Sequence, residues 1–234
     1  MKISVIIPTL NEEEGIGATI DEIPVDSMKK AGYDVEVLVI DGRSKDRTRR
    51  IAESKGAKVI IEPRKGYGRA YKTGFEKAKG EIIVTGDADC TYPFRDIEVF
   101  VKMLDEKGID FITTNRFAGL EKGSMKPSHH FGNFVLNFVV AFLFFIDLKD
   151  SQSGMWIFRR KALEKLILTS DGMPFSEEIK IEAFRKLRTA EVPITYRRRA
   201  GQIKLGMFRD GMKNLSFLFR KRIFPGRLQQ KANL

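Results

Sequence analysis

Five apolar runs, each followed by a helical stretch or a turn, occupy the first half of the chain and restrict it to one class of fold. Residues 2–8, 35–41, 57–62, 81–86 and 109–114 read as strands rich in Val and Ile. Residues 12–23, 46–54, 66–79 and 94–107 read as helices, punctuated by Pro24, Gly56, Gly80 and Gly108, with Asp46 as a helix cap. Strands joined by helices of this length build a mainly parallel central sheet flanked by helices, with right-handed crossovers: a Rossmann-like α/β fold. Ligands in such sheets bind beyond the carboxyl ends of the strands, so the residues that follow each strand are where function is sought.

Three polar motifs stand there: Pro8-Thr9-Leu10-Asn11-Glu12-Glu13, Asp41-Gly42-Arg43-Ser44-Lys45-Asp46 and Asp87-Ala88-Asp89. An acid after a strand is commonly just a helix cap, but three in order on one sheet converge on one crevice. Asp87 and Asp89 bring two carboxylates close enough for a hard divalent ion, Mg²⁺ or Mn²⁺, which would share its coordination with diphosphate oxygens. The stretch Lys65-Gly66-Tyr67-Gly68-Arg69 lacks the third glycine and the downstream acid of a dinucleotide fingerprint. It reads instead as a helix start near a diphosphate, with Lys65 and Arg69 beside it.

The second half is less regular. Residues 154–159 and 190–195 read as strands, 160–166 and 176–187 as helices. The apolar run 131–146 is shorter than the roughly 20 residues that span a bilayer, and suits a core helix, an interfacial helix or half of a membrane-dipping hairpin. Residues 207–221 put Phe208, Met212, Leu215 and Phe219 on one side, with Arg209, Lys213 and Arg220 nearby. That pattern fits a helix on a membrane surface or one packed on the domain. Residues 196–227 carry ten Lys or Arg against one acid, and so nine of the eleven net positive charges. Such a segment suits nucleic acid, an anionic membrane or a phosphorylated substrate. The length of 234 residues accommodates a catalytic domain over 1–205, with a nucleotide-binding half 1–115 and an acceptor half 116–205, then a basic amphipathic helix and tail over 206–234. A single cysteine, Cys90, and a start without a signal-peptide core suggest the cytoplasmic side.

The segments 6–12, 41–48 and 87–93 resemble glycosyltransferase family 2. Asp150-Ser151-Gln152-Ser153-Gly154 is similar to the Asp-(Ser/Thr)-Gln-x-Gly segment of polyprenyl-phosphate hexose synthases of the dolichyl-phosphate glucose and mannose type. Residues 198–205 are similar to that group's Arg-x-x-Gly-x-Ser-Lys-Leu stretch. Two departures stand out: Gly42 where the family often has a second Asp, and Ile203 where it has Ser.

The resemblance implies a glycosyltransferase A-type fold and inverting transfer of a hexose from UDP-glucose, UDP-GlcNAc or GDP-mannose. The implied acceptor is a polyprenyl (dolichyl) phosphate, met peripherally at the anionic inner face of the membrane, with no nucleic acid as partner. Pro8, Asn11, Glu12, Asp41, Asp87 and Ala88 would hold the nucleotide sugar, joined by Lys65 and Arg69. Asp87 and Asp89 would hold the metal. Arg199 and Lys204 would act with them as catalytic residues and, with Arg116, Lys126, Gln152 and Ser153, would meet the acceptor phosphate. A phosphate already ionised at neutral pH needs no general base, so His129 and His130 are left out. Glu177 or Glu178 would serve as base only toward a hydroxyl. The alternatives are the same fold acting on a soluble or glycan hydroxyl, and a non-catalytic basic binding protein, against which Asp87 and Asp89 speak.

Overall fold

The first strand, β1 (Lys2–Thr9), is buried without a break from Ile3 to Ile7 because it is covered on both faces. It lies inside a seven-stranded sheet with β2 (Asp34–Asp41), β3 (Lys58–Ile61), β4 (Ile82–Thr85), β5 (Phe111–Asn115), β6 (Trp156–Arg159) and β7 (Thr189–Pro193), in the order β3-β2-β1-β4-β6-β5-β7. All neighbours are parallel except β6, which runs antiparallel to both β4 and β5. The computed structural model describes residues 1–201 and 207–224.

Alternation along the strands sends side chains to two layers. Ile3, Val5, Ile7, Val39 and Val84 face α1 (Ile16–Asp21), α2 (Val25–Lys30), α3 (Thr48–Ser54) and α5 (Ile97–Glu106). Ile6, Leu38, Ile40, Ile83, Trp156 and Phe158 face α4 (Tyr67–Lys77) and α7 (Phe175–Lys186). A third, smaller core joins α6 (Pro127–Phe144) to α7 and α8 (Met207–Ile223) through Leu136, Val140, Phe144, Ile181 and Leu218. The basic C-terminal helix is therefore docked on α6 and α7, in the second half of the chain. The division at 115/116 falls within one sheet, since β6 inserts between β4 and β5.

The expected helix 12–23 is shorter: 12–15 form a turn, and Pro24 opens α2 instead of ending the segment. The stretch 160–166 is a 3₁₀ helix, Arg160–Lys165. In α8 the buried positions are Asn214, Phe217, Leu218 and Lys221, while Met212 and Phe219 are exposed. The inward face takes Leu215 from the side marked by periodicity and leaves Met212 and Phe219 outside. The run 131–146 belongs to the 18-residue α6, and its outer stripe, Phe131, Phe134, Phe138, Phe142 and the adjoining Phe145, is 63–83% exposed. Its other face is packed in the third core through Leu136, Val140 and Phe144. No helix among the described residues is long and apolar enough to cross a membrane.

Gly74 shows how closely α4 lies on the sheet. A Cβ there would sit 2.5 Å from Ile6 Cγ2 and 3.3 Å from Ile40 Cγ1. Alanine would gain about 1 kcal/mol of helix propensity, but overpacking a β-branched core side chain costs about 1–3 kcal/mol. The clash should win. Gly74→Ala is expected to lower the unfolding midpoint by roughly 2–6 °C, and a midpoint at or above wild type would show that α4 can shift on the sheet.

Candidate functional site

The loops after β1 and β2 are tied together by side chains. The strands run in register to Thr9 and Asp41, which end side by side at the carboxyl edge. Buried Asp41 accepts the Ser44 N–H at 3.0 Å. Ser44 Oγ accepts the Asn11 N–H at 2.8 Å, and Asn11 Oδ1 accepts the Lys45 N–H at 2.7 Å. The Glu12 and Glu13 amides donate to Thr48 Oγ1 and Asp46 Oδ2. Asn11 and Arg43 both hold positive φ, 53° and 67°, as does Cys90 (66°) in the third loop. Left-handed backbone at non-glycine residues is costly and persists where surrounding bonds determine it. Three of the four such residues among those described lie in these three loops.

The third loop supplies the acidic pair. Gly15 lets the turn ahead of α1 press on it, since a Cβ there would lie 2.5 Å from the Ala88 carbonyl oxygen. Asp89 is 2% exposed. Its Oδ1 accepts from the Thr91 hydroxyl at 2.6 Å, and its Oδ2 pairs with Arg199 at 2.9 Å. The other arm of the same guanidinium reaches Glu12 Oε1 at 2.8 Å. The Ala200 amide donates to the Asp89 carbonyl, pinning the 197–201 stretch to this loop. Burial, reinforced by the charge on Asp89, pushes the Asp87 carboxyl up to about 7, against the pull of Arg199 and Arg116. Two crowded carboxylates of this kind call for a cation, and the guanidinium on Asp89 stands where one is needed. The pair is oxygen-only and suits a hard ion that keeps its other positions for water or diphosphate.

The second half meets the acidic pair through Gly154. A Cβ there would lie 2.5 Å from the Tyr67 hydroxyl and 3.5 Å from Asp87 Oδ1. Tyr67 in turn donates to Asp87 at 3.4 Å, and Tyr92 accepts the Gly154 N–H at 2.7 Å. Before Gly154, the Asp150 carboxylate takes a bidentate pair from Arg116 at 2.7 and 2.8 Å. Burial works against ionisation of Asp150, but Arg116 holds its carboxyl below the usual range. Arg116 also lies over the Tyr196 ring at 5.3 Å. At the N-terminus of α6, burial and the charges of Lys126 and Arg116 hold the His129 imidazole below its ordinary value. Arg116, Lys126 and His129 thus share one corner.

Glu12, Asp41, Asp87, Ala88 and Asp89 come together with Arg199 in one cluster, although Arg199 was expected on the acceptor side. Other expectations fare differently. Lys65 is exposed, and Arg69 faces Glu76, Glu62 and Asp171 instead of the acidic pair. Ser153 does not reach the crevice: it is fully buried, its hydroxyl bonded to Thr114 at 2.6 Å. Gln152 is spanned by Glu177, at 2.6 Å, and by Asn214 of α8, at 3.0 Å. Burial pushes Glu177 up to about 8, so this carboxyl is held largely protonated at neutral pH. Glu178 instead accepts the Thr169 and Ser170 amides and the Lys221 ammonium. Lys204 lies outside the described residues. Sequence reasoning did not bring Tyr67, Tyr92 and Gly154 to the acidic pair. The one available signal was their position, inside or next to the motifs.

Similarity to known proteins agrees with this geometry. The family model described as glycosyl transferase family 2 matches residues 4–167. The low-salt glycan biosynthesis hexosyltransferase Agl6 of Haloferax volcanii is 39% identical over 92% of this chain, which spans 52% of that protein. A dolichyl-phosphate hexose transferase of the same organism is 33% identical, covering 89% of each chain. Among solved structures, glucosyl-3-phosphoglycerate synthase of Mycobacterium tuberculosis, in complex with Mn²⁺, UDP-glucose and phosphoglyceric acid, superposes with a TM-score of 0.76 at 22% identity. That match covers 94% of this chain and 79% of the other. With the sheet order, the acidic pair and the matched length in agreement, the chain belongs to glycosyl transferase family 2.

Proposed function

We propose that this protein transfers a hexose, with inversion, from a nucleotide sugar to a polyprenyl phosphate at a membrane surface that it binds peripherally from the cytoplasmic side. One observation carries the acceptor class. The exposed aromatic stripe of α6, Phe131 to Phe145, begins at the corner where Arg116, Lys126 and His129 gather. A helix N-terminus with cations beside it suits a phosphate, and the stripe suits the chain attached to that phosphate. Arg209, Lys213, Arg220 and Arg222 on α8 add attraction for anionic lipid. The dolichyl-phosphate hexose transferase named above, matched over nearly its whole length, supports the same reading.

Asp41, Glu12 and Asn11 line the nucleoside end, and UDP-glucose, UDP-GlcNAc and GDP-mannose are the donors considered. Asp87 and Asp89 would hold Mg²⁺ or Mn²⁺, which offsets charge on the departing diphosphate when bound. The acceptor's phosphate oxygen forms a bond to the anomeric carbon as the bond from that carbon to the diphosphate oxygen breaks. The phosphate is already ionised, so no side chain has to remove a proton. The corner around Arg116 and Lys126 orients the nucleophile, and the apolar stripe keeps the lipid chain out of water.

Incubating the protein and Mn²⁺ with the three donors, with and without polyprenyl phosphate, should yield a hexosyl-phosphate lipid by mass in the lipid arm alone. A product formed without lipid would move the acceptor to a soluble compound or a glycan. Asp89→Ala should cut transfer by about two orders of magnitude or more while leaving the circular dichroism unchanged. Undiminished turnover in EDTA would remove the metal from the reading. Liposome flotation tests the surface: wild type should rise with anionic vesicles at low salt and less at high salt. Exposed Phe side chains contribute roughly 1.5–3 kcal/mol each when buried, so F134E/F138E/F142E should lose at least tenfold in partitioning. Flotation unaffected by these changes would place membrane contact elsewhere.

A further inference from the structure

Arg199 occupies a position that the donor-side chemistry does not leave idle. Asp89 has two carboxylate oxygens, and Thr91 takes one of them. The oxygen left for a divalent ion is Oδ2, the one Arg199 holds at 2.9 Å. The second arm of the guanidinium holds Glu12 Oε1 at 2.8 Å, bridging residues 187 positions apart. Its Nε is buried without a hydrogen-bond partner among the described residues. A fork with two arms on carboxylates and a third donor unused is matched to a larger anion than either acid, and a diphosphate has the oxygens to take all of it. The backbone needs no rearrangement for such a change of partner, because the Ala200 amide to the Asp89 carbonyl and the Arg197 amide to the Thr91 carbonyl hold the stretch in place.

A divalent ion and a guanidinium on one carboxylate oxygen repel each other. Asp89 is 2% exposed, so water screens that repulsion weakly. Both are accommodated once the negative charge of a diphosphate lies between them.

We propose that Arg199 is the resident counter-cation of the acidic pair, holding Asp89 and Glu12 until a nucleotide diphosphate draws the guanidinium away and releases Asp89 to the metal. Metal and nucleotide then bind with positive coupling. By reciprocity each strengthens the other by the same factor. The site resists bare metal and accepts it together with the donor. This inference rests on the proposed metal-dependent donor site and adds the order in which that site is filled.

The test is Mn²⁺ binding, read from the loss of the free-ion electron paramagnetic resonance signal, for wild type, R199Q, R199K and D89N. Each is titrated without nucleotide and with UDP or GDP. Without nucleotide, R199Q should bind Mn²⁺ about tenfold more tightly than wild type, within the usual range of such couplings. Nucleotide should then tighten Mn²⁺ binding by a smaller factor in R199Q than in wild type. R199K keeps the charge but lacks the planar fork, and should fall between them. It carries the test alone if thermal unfolding shows R199Q to be misfolded. Mn²⁺ affinity in the folded variant equal to or weaker than wild type, with binding still lost in D89N, overturns the counter-cation role and leaves the metal site standing. Mn²⁺ binding that survives D89N, or that is absent from wild type even with both nucleotides, overturns the metal-site reading itself.

Discussion

Thr85 closes the sheet at the place where its direction changes, and the site depends on that closure. Its hydroxyl donates to the Gly154 carbonyl at 2.8 Å and accepts the Trp156 N–H at 2.9 Å. The antiparallel β6 would otherwise leave those groups unpaired beside a parallel strand, at the cost that attends any buried polar group. With the gap closed, β6 pairs with β4 from Val84↔Ile157 to Ile82↔Arg159. The loop preceding β6 is thereby held against the loop following β4. Gly154 then abuts Asp87, and a motif near residue 150 meets a motif near residue 90 across one crevice. A larger residue at 154 would strike Tyr67 before it reached the carboxylate.

The charges behind that loop are arranged for placement more than for stability. Asp150, Glu177, Glu178 and Lys180 are fully buried, and Arg116 and Lys221 are 7% exposed. The Ser153 carbonyl alone accepts from Lys180, Ser176 and the Trp156 indole. Burial draws the Lys180 ammonium down to about 7 although Asp150 opposes it. Apolar residues of similar volume often stabilise a fold as well as buried ion pairs do, whereas removing one partner of such a pair costs about 3–5 kcal/mol. What the polar set adds is position. Arg116 is fixed by its two-pronged pair with Asp150, and α8 is fixed to the same loop through Asn214, Gln152 and Glu177.

The strands, the three loop motifs and the crevice they form were legible because each is a local pattern: a buried run, a turn, then an acid. What could not be read depends on partners distant in the chain. β6 looks like any strand in sequence, and its reversed direction is set only by which strands it lies between. Arg199 sits in a stretch that resembles an acceptor motif, yet its partners are Glu12 and Asp89, a pairing that no local window contains. Ser153 has a phosphate-binding residue type in the right motif, but the turn that presents Gly154 directs the serine inward to Thr114. Periodicity in α8 marked an aromatic side, open to a membrane or to the domain, and gave no sign of the polar residues that face inward. The helix buries Asn214 and Lys221, which have the Gln152 amide and the Glu178 and Glu182 carboxylates waiting. Those acids satisfy a buried cation that propensity rules would place outside.

The same reversal gives the outer surface its character. Because α8 turns its polar keys inward, Met212, Phe219, Ile223 and Phe224 remain outside, as do the phenylalanines of α6 against which α8 packs. α6 is apolar on both sides, a pattern of helices surrounded by apolar material, yet one face alone meets the protein core, through buried Leu136, Val140 and Phe144 with Val139 and Leu143 packed beside them. An 18-residue helix is roughly 27 Å long, close to the thickness of a bilayer's hydrocarbon core. It nonetheless lies along the protein with one face packed, so its aromatic stripe presents itself sideways. A lipid phosphate seated at its N-terminal cations would have several isoprene units of apolar surface to run along before it met water. In the proposed reaction the acceptor therefore need not leave the membrane: the helix that binds its phosphate also extends the apolar surface up to the site.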